Sequence, residues 1–224
     1  MKDLVIIGAG DFGREMANVI ERINDIEDEP IWNIKGFIDD NQNIQGSIID
    51  GYTVIGTTED LNNAQTEIYA ICSLGVSNTR KRIIQKINNP NVKYATLIDP
   101  DARVYKNATV GEGSIICGGS ILAINTKVGN HVIVNLNCSL GHDDIIDDYC
   151  VINPGVNISG KVIVKECCDL GTGMKAIQGL AIGPNTTVGA GAVVLHDIQE
   201  DCVAVGIPAK PIKYRSKKIR MEEV

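Results

Sequence analysis

Aromatic side chains are scarce in this sequence: two Phe, one Trp and six Tyr among 224 residues. A core with so few rings must be filled by Ile, Val, Leu and small residues, although 44% hydrophobic residues suffice for a sizeable one. Long apolar runs are missing as well. No stretch approaches the roughly 20 apolar residues of a membrane span. The opening MKDLVIIGAG has too short an apolar run and the wrong flanks for a signal peptide, so a soluble protein is expected. Excess positive charge is also absent. The net charge of −7 excludes the broad basic face that nucleic acid or an anionic membrane would need as main partner. Any bound phosphate must therefore be held locally. The seven cysteines form no CxxC pair and their number is odd, which favours reduced thiols and a cytosolic setting over a disulfide framework.

What is present, from residue 98 onward, is an aliphatic residue at every sixth position. The series runs from Ile98 and Val104 through Leu140 and Ile146 to Val188 and Val194 without losing phase. Sixteen of its seventeen members are Ile, Leu or Val, and the other is Ala176. The following position is often Gly (Gly111, Gly129, Gly141, Gly171), and the fourth after the aliphatic residue is often small (Ser114, Ser120, Thr126). Cys138, Cys150 and Cys168 share that small slot, where a thiol acts as a compact apolar group. Neither a helix nor a two-sided sheet has a period of six, so each hexapeptide reads as one short strand plus a corner of a β-solenoid. Spacing leaves its handedness open, and the right-handed rule for crossovers does not decide it.

The first 95 or so residues follow another rhythm. Leu4 to Ile7 reads as a buried strand, Arg14 to Ile23 as a helix, and Ile34 to Ile38 as a strand ending in Asp39-Asp40. YTVIG and EIYAICSLG add strands, and Thr79 to Ile87 a second helix. Such alternation implies a small parallel sheet. The expected organisation is an α/β domain over 1–95, an all-β column over 96–212 and a basic tail over 213–224. Between the first strand and helix lies Gly8-x-Gly10-x-x-Gly13, a turn that presents backbone N–H groups and a helix N-terminus to an anion. A redox dinucleotide would need a full doubly wound domain, and this one is half that size.

The hexapeptides VGEGSI, VGNHVI and VGAGAV and the closing VGIPAKPIK resemble the hexapeptide-repeat acyltransferases. Joined to a short Rossmann-like domain, they resemble, over essentially the whole chain, the bacterial nucleotide-sugar N-acetyltransferases of the PglD and NeuD type. That resemblance implies a left-handed, three-sided parallel β-helix, a homotrimer with active sites between subunits, and acetyl-CoA as co-substrate without a metal. It also implies that the N-terminal domain binds the nucleotide of a nucleotide-linked amino sugar. By position, Gly8, Gly10, Asp11, Phe12 and Gly13 match one part of that cradle, Asp39 and Asp40 a second, and Gly75 a third. An Asp pair suits ribose hydroxyls or a base N–H. Its alternative role is to cap a turn. Arg80, Lys81 and Arg82 read as a solvated helix face in preference to a phosphate contact.

For the chemistry, an attacking amine must lose a proton, and histidine suits that task. His142 in NLNCSLGHDD matches the family's general base, and Asp143 its helper, since an adjacent anion stabilises the imidazolium. Asn135 matches a sugar contact, and Gly160 a backbone N–H facing the acetyl carbonyl. Two departures stand out. The helper is Asp where relatives often carry Glu, and a second family histidine that contacts acetyl-CoA falls at Val151. Acyl-donor contacts should then rest on backbone and rim, near Thr172 and Ala190. His131 and His196 read as structural, because His131 and His142 fall on different faces and their spacing does not suit a three-histidine metal site. The tail from Lys210 to Arg220 meets CoA phosphates or forms a frayed helix. The resemblance thus implies acetyl-CoA-dependent acetylation of the 4-amino group of a nucleotide-linked 4-amino-4,6-dideoxy sugar, for a bacterial surface glycan. O-acetylation of a sialic-acid-like sugar, and a non-catalytic nucleotide-sugar-binding solenoid, are the alternatives.

Overall fold

The computed structural model describes residues 1–215. Its N-terminal part is built from β1 (Lys2–Ile7), α1 (Asp11–Ile26), β2 (Trp32–Ile38), β3 (Ile48–Ile49), β4 (Tyr52–Gly56), α2 (Thr58–Asn62), β5 (Ile68–Cys72), α3 (Ser77–Lys86) and β6 (Val92–Tyr94). These form one sheet in the order β3-β4-β2-β1-β5-β6. All its pairings are parallel except β3 with β4. α1 buries Met16, Ala17, Val19, Ile20 and Ile23, the three- and four-residue spacing of an amphipathic helix. It begins directly after Gly10, where Gly8 adopts φ +101°. Gly13 lets that turn close: a Cβ there would collide with the Gly8 carbonyl oxygen. α2 and β3 are absent from the sequence reading, because five and two residues are too few to show a period. α2 is set instead by a capping box in which Thr57 and Asp60 bond each other's backbone.

After β6 the chain turns into a left-handed β-helix of two-residue strands. Each strand pairs in parallel with the one eighteen residues on, as Ile115 does with Ile133 and Ser139 with Asn157. Three hexapeptides therefore make one coil. The three faces carry eight, six and five strands, the first including the closing strands Cys202–Val205 and Lys210–Tyr214. The hexad residues from Ile116 to Val194 fill the interior as one cluster with Cys138, Cys150 and Cys168. Ile98 and Val104 depart from that pattern. They are 38% and 37% exposed, because the first coil has no neighbour beneath it. A second regularity sets the corners: the third residue after each hexad aliphatic, from Asn107 to Gly191, has positive φ at every turn. Gly, Asn and Asp dominate that position because they tolerate the left-handed region at least cost.

The early rungs of the first face are covered by the N-terminal part, with α1 against Leu97–Ile98 and α3 against the rungs near His131, Tyr149 and Cys167. Leu97, Ile115, Cys117 and Ile133 share one core with Leu4, Ile6, Met16, Ile20 and Phe37. Polar clamps flank this seam. Arg22 on α1 pairs with Asp99 at 3.2 Å and Asp101 at 2.7 Å, Ser77 donates to Asp169, and Lys81 pairs with Glu166 at 2.7 Å. Arg80 corrects the reading of α3 as a solvated face. Its guanidinium is fully buried and donates to the carbonyls of Leu74, His131, Tyr149 and Cys150. Lys210–Tyr214 is a strand antiparallel to Cys202–Val205 rather than part of a frayed helix. The rest of the basic tail, from 216 on, lies outside the described residues.

Candidate active site

His142 stands on the edge between the second and third faces, in the corner that joins strands Ser139–Leu140 and Ile145–Ile146. Its side chain is 52% exposed, and its Nδ1 lies 2.8 Å from Asp143 Oδ2. Asp143 occupies the positive-φ corner position at φ +61°, a conformation that a short polar residue tolerates, and this turns its carboxylate back toward the ring. The Asn125 amide donates to the same carboxylate at 2.9 Å. Hydrogen bonds from His142 and Asn125 hold the Asp143 carboxyl below the usual carboxylate range, so it is ionised at neutral pH. An ionised acceptor there places the proton on Nδ1. In the neutral ring with that tautomer, Nε2 carries the lone pair that a general base requires.

One coil further on, Gly160 lies against the imidazole. A Cβ at Gly160 would come 2.5 Å from Nε2, and Lys161 donates to the His142 carbonyl at 2.9 Å to hold the two turns together. Glycine is thus needed where the ring passes over the backbone. Gly160→Ala is expected to displace the ring, lowering kcat by about 10²-fold with little change in KM for the sugar substrate. Steady-state kinetics beside a thermal melt would check this, the melt staying within a few degrees because the exposed ring is free to swing aside.

The other expected residues fall elsewhere. Asn135 lies on the edge between the first and second faces, its Oδ1 fixed by the Leu136 N–H at 2.7 Å. Thr172 and Ala190 project from that same edge, exposed, with Gly191 donating to the Thr172 carbonyl. Within one chain a whole face separates this edge from His142 and Gly160. Val151 is 2% exposed on the first face, away from the His142 edge. His131 is buried between Tyr94 and Tyr149, with burial and the nearby Arg80 cation pushing its imidazole down to about 4, and His196 is exposed after the last rung of the second face. No group of three or more His, Cys, Asp or Glu among the described residues is placed to hold a metal.

The N-terminal loop lines two clefts. One of about 240 Å³ is bounded by Gly8, Asp39, Asp40, Thr58, Thr79 and Arg82. Asp39 accepts from Ala9 N–H in the glycine turn and from Asn41 N–H, while Asp40 caps α2 through Thr58. The aspartates therefore cap turns and face the cleft at once. Gly75 follows Leu74, which lines the cleft, and is itself exposed. Phe12 packs on the hydrophobic core and Gly13 is buried against Gly8 and Ser73, so these two shape the turn rather than its surface. No side chain caps the first N–H groups of α1. Asp11 and Arg14 open a second cleft of about 490 Å³ that runs between α1 and the column as far as Leu136.

Sequence reasoning missed Asp144. It fills the inward small slot of the His142 corner, fully buried, and accepts from Gly141 N–H at 2.6 Å and Val162 N–H at 2.8 Å. A charged residue in a series of Ser, Thr, Cys and Val was the available signal.

Residues 3–87 match the family described as the PglD N-terminal domain. A GDP-perosamine N-acetyltransferase from Escherichia coli O157:H7 is 27% identical over 186 residues, covering 83% of this chain and 82% of that protein. The acetyltransferase domain of PglB from Neisseria gonorrhoeae FA1090, solved with acetyl coenzyme A, is 32% identical. It superimposes with a TM-score of 0.85 over 94% of this chain and 99% of that one. The chain belongs to the PglD family of acetyltransferases. The perosamine N-acetyltransferase of Caulobacter crescentus, at 24% identity and a TM-score of 0.85, has the same fold. A PglD-type enzyme with a glycine turn, a three-sided column and an exposed His-Asp pair accounts for both parts of the chain. No described helix is long and apolar enough to cross a membrane.

Proposed function

We propose that this PglD-type acetyltransferase transfers an acetyl group from acetyl-CoA to the 4-amino group of a nucleotide-linked 4-amino-4,6-dideoxy sugar. The observation that carries the reading is the His142–Asp143 pair poised over Gly160 on an open edge. The sugar amine attacks the thioester carbonyl, its proton passes to Nε2, and the imidazolium is paired with Asp143. A C–N bond forms, the C–S bond breaks, and the leaving thiolate takes the proton back. The Gly160 backbone N–H is the proposed donor to the developing oxyanion. The N-terminus of α1 after Gly10, with Asp39 and Asp40 beside it, receives the nucleotide, and Asn135 the sugar.

The site is completed by a second copy. Asn135 stands on one edge of the column while His142 and Gly160 stand on the next, and the exposed Ile124, Leu136, Ile145 and Ile177 supply apolar surface along both. A trimer of columns in which the Asn135 edge of one copy meets the His142 edge of its neighbour brings the parts together. Thr172 and Ala190 on the rim then border the acyl donor. Seven buried free thiols fit a reducing cytosol, where nucleotide sugars for surface glycans are made.

The test is thiol release from acetyl-CoA in the presence of UDP-, GDP- and dTDP-linked 4-amino sugars. Turnover with one of these is expected. Turnover with free sialic acid alone would assign O-acetylation instead, and tight nucleotide-sugar binding without thiol release would leave a binding module.

A further inference from the structure

Asp144 is a buried carboxyl that the proton transfer above does not use, and its place is unusual. In the same inward slot of other corners the polar side chains are neutral. Ser114 and Ser120 donate to the carbonyls of Gly129 and Asn135, Thr126 to that of Gly141, and Cys150 and Cys168 to those of Lys165 and Gly183. Each of these donates to the carbonyl fifteen residues on. Ser114 and Ser120 also accept the N–H eighteen residues on, from Val132 and Cys138, but Asp144 accepts twice and donates to no carbonyl. Its two oxygens take the N–H of Gly141, the residue before His142, and the N–H of Val162, two residues after Gly160. One carboxylate thus ties together the two turns whose outer surfaces form the catalytic edge. It does so from the dry side of the backbone.

We propose that Asp144 is a positioning residue for the transfer reaction: ionised, it fixes the Gly141–His142 turn against the Gly160 turn and stabilises, through the interior, the imidazolium that His142 becomes. The inference rests on the reading of His142 as the base. A charge held inside the column is poorly screened, whereas Asp143 on the surface shares its field with water. The charged and titratable groups around Asp144 are few. His142 and Asp143 lie on its own turn, Lys161 on the next coil, and the thiols of Cys138 and Cys150 fill the other two inner corners of the coil. Burial pushes the Asp144 carboxyl up to about 7, so the group changes charge within the working range. When protonated it loses one acceptor oxygen and the support of two N–H groups fails.

The sign of the stability effect separates this role from simple packing. A carboxyl that ionises at about 7 in the folded chain, and near 3.8 when solvated, makes the native state bind the extra proton between those values. Stability from this group therefore falls as pH rises through that window and is lowest above it. Asp144→Cys inserts the residue that fills the slot at Cys138, Cys150 and Cys168, and removes the charge. At pH 8 it is expected to melt at or above the wild-type temperature while kcat drops roughly tenfold. Both KM values should stay within about twofold, and the acid limb of the kcat/KM profile should move to lower pH. Asp144→Asn, which keeps the shape and loses the charge, is expected to show the same rate loss. Variants with kcat within twofold of wild type and an unmoved acid limb would overturn the role. So would a rate loss accompanied by a lower melting temperature and raised KM values, which would make Asp144 a packing residue. Wild-type protein that released no thiol with any of the sugars would remove His142 as base, and the role of Asp144 with it.

Discussion

His142→Ala is expected to lower kcat by about 10²–10⁴-fold, the range that a positioned general base contributes to proton transfer. KM for the sugar nucleotide and for acetyl-CoA should change little, because the imidazole acts on a proton that moves only in the transition state. Stability should hold, since the side chain is half exposed and its hydrogen-bond partner, Asp143, keeps a second partner in Asn125. Steady-state kinetics with a thermal melt settles both parts. A variant retaining kcat within a few-fold of wild type would remove His142 from the chemistry.

The largest loss of stability is expected at Arg80. Its guanidinium sits in the seam between α3 and the column and donates to four carbonyls, three of them on the column side at His131, Tyr149 and Cys150. Arg80→Met keeps much of the volume and strips the Leu74, His131 and Tyr149 carbonyls of this donor, while the Cys150 carbonyl keeps the Ile133 N–H. Hydrogen bonds to charged groups are worth more than neutral ones, and stranding several buried acceptors at once should cost about 3–5 kcal/mol. In a chain of this size that corresponds to a fall of roughly 10 °C in melting temperature. A loss below about 1 kcal/mol, measured by denaturant titration, would show that the apolar seam formed by Leu97, Ile115 and Ile133 carries the contact unaided.

The column was legible because its rule is local and repeated. A buried aliphatic every six residues marks a stacked column of either hand, and Asn107, Gly119, Asn125, Asn137 and Gly155, three places after a hexad residue, occupy its positive-φ corners. His142 and Gly160 were singled out through the resemblance alone, and that the imidazole packs over the Gly160 Cα shows only in three dimensions. Arg80 was misread because a charged residue on a helix carries no linear mark of the carbonyls it will meet, and three of the four come from residues 51 to 70 positions away. Asp144 was overlooked for the opposite reason. It stands next to an attractive His-Asp pair and shares its composition, while the six-residue register, followed one step further, sends its side chain inward.

The separation of the two edges has a functional consequence. Within one chain the Asn135 edge and the His142 edge lie a whole face apart, so the proposed reaction takes its base from a neighbouring copy. Gly10→Asp offers a clean cradle variant. Gly10 has φ −77° and open space for a Cβ, so Asp fits there as an ordinary helix cap while placing negative charge where the diphosphate would sit. His142→Ala disables the other half. Each variant alone is expected to be inactive. Co-assembled in equal amounts, the two should regain about a quarter of wild-type activity, because that share of randomly paired edges unites an intact cradle with an intact base. Mixed oligomers no more active than their parents would place cradle and base of the same chain in one site, and would contradict the account.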